Sequence, residues 1–187
     1  ALDLVAKGEL DLAAVTTIKA ETATKWNGRG STMYLRADQT ATIEDLLHGV
    51  ITLSGNDAAV ALAEAIDGSE AAFIARMNAT AARLGLAGSR FASVNGWPDG
   101  GQTVVTARDL AALSQALLRD HPELYRRFYG QRSFRWNNVT QPNRNPLLGV
   151  VEGADGIKTG HTKEAGYCFV GSAERQGRRL IMIVAGL

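Results

Sequence analysis

The sequence predicts an α+β fold, an α/β sandwich-like arrangement in which an antiparallel sheet packs on a mainly helical subdomain. Two observations carry this. Up to about Leu124, apolar residues recur at helical spacing between caps and loops; beyond it, short apolar runs alternate with turn signals. A length of 187 residues allows one substantial core or two small subdomains sharing an interface. The expectation is a single domain, with residues of about 1–125 forming the helical part and about 126–187 the sheet.

Each element follows in order. "ALDLVAKGELDLAA" opens the chain already inside a helix-like pattern. "STMYLRADQT", from Ser31, suggests a short extended segment. Thr42-x-x-Asp45 has the form of a capping box, so a helix starts there, with Ile43, Leu46, Leu47, Val50 and Ile51 on one apolar face. Ser54-Gly55 interrupts it, and Ala58 to Ile66 resumes as a helix of small, closely packing residues. Ser69 caps a further helix to Leu84, with Phe73, Met77 and Leu84 on its apolar side and Gly85 ending it. "NGWPDGGQ" reads as loop. Thr106-x-x-Asp109 starts another helix through Leu118, which Pro122 closes.

The second part reads differently. "SFRWNNVTQPNRNPLLGVVEGADG" gives a short strand and an irregular loop. "IKTG", "GYCFVGSA" and "RRLIMIVAG" give strands, the last two joined at "ERQGR" as a hairpin. "LIMIVA" is apolar at consecutive positions, which predicts cover on both faces. Cys168, mid-strand, is expected to be a small buried apolar residue.

Composition excludes several function classes. Net charge is +1, and the basic groups Arg126, Arg127, Arg132, Arg135 and Arg175, Arg178, Arg179 read as solvated faces, so no nucleic-acid partner is expected. One cysteine rules out an intrachain disulfide framework, and His48, His121 and His161 lack metal-motif spacing, so neither metal nor cofactor is expected. No apolar stretch has the length of a membrane span.

Two short constellations bear on chemistry. Ser54-Gly55-Asn56 falls at a break between helices; alone, it is more often a helix stop followed by an N-cap than a site. Lys158-Thr159-Gly160 opens a strand. Its bland reading is a snorkelling lysine and a turn glycine. Its chemical reading is that an ammonium and a hydroxyl hold a carboxylate by charge-assisted hydrogen bonds. The glycine then lets a ligand approach the strand, whose edge pairs with an extended peptide.

Ser-x-Asn followed at a distance by Lys-Thr-Gly is part of the motif set of penicillin-binding proteins and class A β-lactamases. With "LLHGVITLSGNDAAVALAE", "TARDLAALSQALLRDHPELY", "PNRNPLL" and "DGIKTGHTKEAGYCFVGSAERQGRRLIMIVAG", nearly the whole chain resembles the low-molecular-mass penicillin-binding proteins that act as D-alanyl-D-alanine carboxypeptidases. The resemblance implies a β-lactamase/transpeptidase-like fold in the bacterial cell envelope, outside the cytoplasm. It also implies a peptidoglycan stem peptide ending in D-Ala-D-Ala as substrate, and β-lactam antibiotics as inhibitors.

In such enzymes the serine of a Ser-x-x-Lys motif attacks the carbonyl between the terminal D-alanines, D-alanine leaves, and water hydrolyses the acyl-enzyme. Carried onto this sequence, Ser54 belongs to the proton-shuttling network and Lys158 supplies positive potential. Asn56 bonds the substrate amide, Thr159 bonds the terminal carboxylate, and Gly160 leaves room for it. The backbone N–H of His161 supplies half of the oxyanion hole, and Arg144 is a further carboxylate-binding candidate. The side chain of His161 is expected at the rim, and Trp97 as a packing anchor.

The sequence departs from that pattern in one respect. None of its eight serines is followed by lysine at the third position. Thr16-x-x-Lys19 and Thr22-x-x-Lys25 have the spacing with threonine in place of serine, and are rejected as nucleophiles. The expectation is an internal piece of the enzyme, inactive alone, with any membrane association residing in segments outside it. Two alternatives stand beside it: a class A-like β-lactamase, disfavoured because Glu-x-x-Leu-Asn is missing, and a non-catalytic peptidoglycan-binding relative.

Overall fold

The computed structural model describes residues 1–187. The helical part contains α1 (Leu2–Ala6), α2 (Ala20–Trp26), α3 (Ile43–Ile51), α4 (Asn56–Asp67), α5 (Glu70–Arg83), α6 (Ala107–Asp120) and α7 (Pro122–Phe128). Strands β1 (Val15–Thr17) and β2 (Thr40–Thr42) pair within it. A hairpin of β3 (Ser133–Trp136) and β4 (Val139–Pro142) leads to an antiparallel sheet of β5 (Ala154–Thr162), β6 (Gly166–Arg175) and β7 (Arg178–Val184), in that spatial order. This is the mixed helix and antiparallel-sheet architecture that the sequence predicts. The expected changeover near residue 125 falls inside α7.

The centre of the molecule is the α3–α4 pair. Thr42 caps α3 as the sequence implies: its Oγ1 accepts from the Asp45 N–H at 3.0 Å, and its own N–H donates to Asp45 Oδ2 at 3.1 Å. Such a cap contributes about 1 kcal/mol. Leu46, Leu47 and Ile51 then face the core with Leu53, Ala58, Ala61 and Leu62 of the following segment. Fully burying a leucine such as Leu46 contributes about 2 kcal/mol. The helices can approach closely because position 49 has no side chain: a Cβ there would lie 2.8 Å from Ala58 Cβ. Every residue of α4 from Asn56 to Ala63 is buried, so its alanines act as spacers in the middle of the fold.

Several local expectations change. The N-terminal helix stops at Ala6, and the chain turns into β1 instead of continuing helically to Ala14. Pro122 ends one helix but also occupies the first turn of α7, where its missing N–H costs nothing. The segment after Ser133 is a hairpin, not a lone strand. Asn137 and Asn138 both adopt positive φ, which asparagine tolerates in two-residue hairpin turns. The second hairpin turns at Gln176-Gly177 as expected.

Within these 187 residues the last strand is covered on one face. Its exposure alternates, with Leu180 72% and Met182 46% exposed, because α6 packs against one side only. Cys168 is half-buried, not buried. Arg179 is no solvated surface residue either. Its guanidinium donates to Asp155 Oδ2 at 2.7 Å and Ser172 Oγ at 2.6 Å and pairs with Glu174, while Tyr125 donates to Asp155 Oδ1 at 2.9 Å. This network pins α7 to the sheet. The same burial raises the Tyr125 phenol well above its ordinary range. No helix is long and apolar enough to cross a membrane.

Candidate functional site

The break between α3 and α4 is built by hydrogen bonds. After the buried Leu53, Ser54 takes φ 59°, a left-handed conformation rare for a residue with a side chain. The turn is closed by the Gly55 N–H, which donates to Gly49 O at 2.9 Å, and by the Asn56 N–H, which donates to Ser31 O at 2.9 Å. Asn56 opens α4, and its Nδ2 donates to Arg29 O and Ser31 O, each at 3.2 Å. Both amide hydrogens are thereby committed to the 29–31 loop, and Oδ1 is the group left for a ligand.

Beside it lies a residue that the sequence reading missed. Asp57 is 2% exposed, and its carboxylate accepts from the N–H groups of Met33 (2.8 Å), Leu35 (3.0 Å) and Ala58 (2.9 Å). This fixes the extended stretch predicted from Ser31, which belongs to no strand until β2 begins at Thr40. The signal was an acidic residue in the first turn of a helix, where the positive end of the helix dipole favours it.

Strand β5 supplies the opposite wall. Lys158 pairs with Val170, Thr159 with Phe169, Gly160 with Cys168 and His161 with Tyr167. The Lys158 ammonium donates to Ser54 Oγ at 2.7 Å and to Thr159 O at 2.8 Å. The two constellations therefore meet, with one N–H of the ammonium left over. Burial, and next the positive charge of Arg144, lower the Lys158 pKa from 10.5 to about 8. Arg144 itself is exposed and donates to Gln141 Oε1 at 3.2 Å. It is close enough for its charge to be felt at Lys158, but it is not locked in place.

Backbone direction at His161 follows from the sheet. Tyr167 exchanges both of its backbone hydrogen bonds with Leu187. In an antiparallel ladder a residue's N–H and C=O point to the same side, so Tyr167 turns its back on His161. The N–H and C=O of His161 therefore point to the free edge of β5, where no strand pairs. The imidazole is exposed at the rim and stacks on Tyr167 at 4.1 Å between ring centres. Gly160 is exposed, and a Cβ there would meet only Cys168 Cβ, at 3.9 Å. Thr159 is half-buried, with its carbonyl held by Lys158.

The result is a groove along the β5 edge, walled by the helix break. Two sizeable crevices lie elsewhere: one of about 380 Å3 beside Trp26, Tyr34 and Arg36, and one of about 660 Å3 beside Asn78, Leu86 and Phe91. Neither contains the convergent hydroxyl, carboxamide and ammonium, so they do not compete as the reactive site. Chemically, the groove offers fixed positive potential, an acceptor carboxamide and an unpaired strand edge.

Comparison with known proteins points the same way. Residues 2–187 match the family model described as D-alanyl-D-alanine carboxypeptidase. The D-alanyl-D-alanine carboxypeptidase DacC of Escherichia coli (strain K12) is 44% identical over 160 residues, 84% of this chain and 40% of that protein. DacD of Salmonella typhimurium is 43% identical over 157 residues, 83% of this chain and 40% of its own length. Among solved structures, penicillin binding protein 5 from Haemophilus influenzae superposes with a TM-score of 0.93 at 37% identity, covering 99% of this chain and 54% of that one. Penicillin-Binding Protein D2 from Listeria monocytogenes in its ampicillin bound form gives 0.84 at 34% identity, covering 99% and 74%. The chain thus spans about 40% of the length of these two curated relatives.

Proposed function

Because this chain belongs to the D-alanyl-D-alanine carboxypeptidase family, we propose that it forms the substrate-binding groove of a serine-type enzyme that removes the terminal D-alanine from peptidoglycan stem peptides. The observation that carries this reading is the 2.7 Å contact between Lys158 Nζ and Ser54 Oγ, which joins the helical and sheet contributions into one site.

The roles follow from the groups available. An extended peptide lies along the free edge of β5, and the outward N–H of His161 donates to the oxyanion that forms on the scissile carbonyl. Asn56 Oδ1 accepts from a substrate amide N–H. The terminal carboxylate is drawn by Lys158 and Arg144 and bonded by Thr159, with Gly160 leaving the approach clear.

In acylation a serine oxygen forms a bond to the carbonyl carbon, the peptide bond to the last residue breaks, and the serine proton ends on the departing D-alanine amine. The Ser54 hydroxyl, held by Lys158, is placed to relay that proton. The nucleophilic serine is assigned to a Ser-x-x-Lys segment outside these 187 residues, since no serine here carries the motif. Its substrate places the enzyme outside the cytoplasm, and β-lactams, which mimic the acyl-D-alanine end, acylate the same serine.

The test is mass spectrometry of the full-length protein with a penicillin, together with D-alanine release from a peptide ending in D-Ala-D-Ala. A long-lived covalent adduct and free D-alanine are expected. Rapid penicillin turnover without an adduct would make it a lactamase, and binding without either reaction would make it a non-catalytic relative.

A further inference from the structure

Trp97 lies in the loop before α6 and stands outside the groove chemistry above, yet it is tied to it. Its ring packs edge-on against Trp26, with centroids 5.2 Å apart and planes at 75°. Between this pair and the groove lies Gly30, at φ 64°. A Cβ on Gly30 would sit 3.0 Å from Trp97 Cζ3 and 2.9 Å from Asn56 Nδ2, so the bare backbone there is bordered by both side chains. The carbonyls flanking Gly30, those of Arg29 and Ser31, are the two acceptors that hold the Asn56 amide group.

We propose that Trp97 is a positioning residue that, by clamping the 29–31 loop through Gly30, orients the Asn56 carboxamide so that Oδ1 is presented to substrate. The proposal rests on the reading of Asn56 as a substrate-binding group. Its physical basis is a chain of neighbours: indole beside bare backbone, backbone carbonyls on the amide hydrogens. Without the indole, the loop can lift at Arg29 and Gly30 and Arg29 O leaves Nδ2, while Ser31 O stays on the Asn56 backbone N–H. The carboxamide then rotates about its terminal bond, whose preference is broad and two-fold, so acceptor and donor exchange places. A peptide that must donate its N–H to Oδ1 then meets a donor.

Trp97 is 39% exposed, so its replacement removes a clamp and not a core residue. In the full-length protein, Trp97→Ala is expected to raise KM for a peptide ending in D-Ala-D-Ala about tenfold with kcat within about twofold, the signature of lost ground-state binding. Trp97→Phe is expected to restore KM to within about twofold. Gly30→Ala strikes the same chain, so the double variant should lose less than the product of the two single losses.

A readout independent of activity is the side-chain amide resonance of Asn56, which should shift in Trp97→Ala and return in Trp97→Phe. An unchanged KM with an unchanged Asn56 resonance overturns the proposal, as do losses that simply multiply. If Trp97→Ala fails to fold, Gly30→Ala and Trp97→Phe decide alone. If the wild-type protein shows neither adduct nor D-alanine release, the enzymatic reading fails, while the Asn56 resonance still decides whether the clamp exists.

Discussion

Lys158 and Ser54, 104 positions apart in the chain, share a 2.7 Å hydrogen bond in which the ammonium donates to the hydroxyl. Lys158→Ala removes both the proton donor and the local positive potential. In the full-length protein, acylation by penicillin should fall about a hundredfold or more, the scale of losing one preorganised electrostatic group. Ser54→Ala leaves the ammonium without its side-chain acceptor and should reduce acylation as well. Stopped-flow acylation rates check both, and near-normal rates would remove the pair from the mechanism.

The protonation of Lys158 sets an alkaline limit. With a pKa near 8, the ammonium is present below that pH and lost above it, so acylation should decline as pH rises through about 8. Arg144→Gln removes a like charge that helps hold the pKa down, and should shift this limb to higher pH. For stability the sign is opposite. Between about 8 and 10.5 the unfolded chain binds more protons at this lysine than the folded one, so its contribution to stability rises with pH there. A pH–rate profile of both proteins tests the first point, and denaturant midpoints across that window test the second.

Asn56→Ala should have two separable effects. Peptide turnover falls because the acceptor is gone, and stability drops by about 1 kcal/mol because Arg29 O loses its side-chain donor, while Ser31 O keeps the Asn56 backbone N–H. Comparing peptide KM with the thermal midpoint distinguishes them. A protein that loses its transition entirely would mark Asn56 as a structural cap.

Asp57→Ala strips three backbone N–H groups of their shared acceptor inside the core. A loss of several kcal/mol in urea unfolding is expected, since each hydrogen bond to a charged group contributes about 1.5–3 kcal/mol. The free energy of urea unfolding settles it; a change under about 1 kcal/mol would mean the 33–35 segment is held by other means.

How far these relationships were visible in sequence varied with their range. The caps at Thr42, Ser69 and Thr106 are local, and each lies where its residue type and spacing imply. The Ser54–Lys158 encounter was legible only because two short motifs belong to one chemistry, for spacing alone says nothing about which strand meets which helix. Asp57 was missed because a first-turn acidic residue is common to many helices, and its partners, the backbone N–H groups of Met33 and Leu35, carry no sequence signature of their own. The Arg179–Asp155–Tyr125 network escaped notice because an arginine beside a turn looks solvated until α7 is seen to cross it. Leu180 and Met182 are exposed within these 187 residues, since an unbroken apolar run specifies β structure without specifying which segments supply its cover.

The backbone at position 54 has its own consequence for engineering the site. Threonine would keep the hydroxyl while adding one methyl group, and is the obvious conservative replacement. Yet φ near 59° is a genuine outlier for a β-branched residue, whose second γ substituent crowds its own main chain. The helix junction would relax to a commoner geometry and carry the oxygen away from the ammonium. At this corner, main-chain handedness filters which alcohols the protein can use, before any question of reactivity arises.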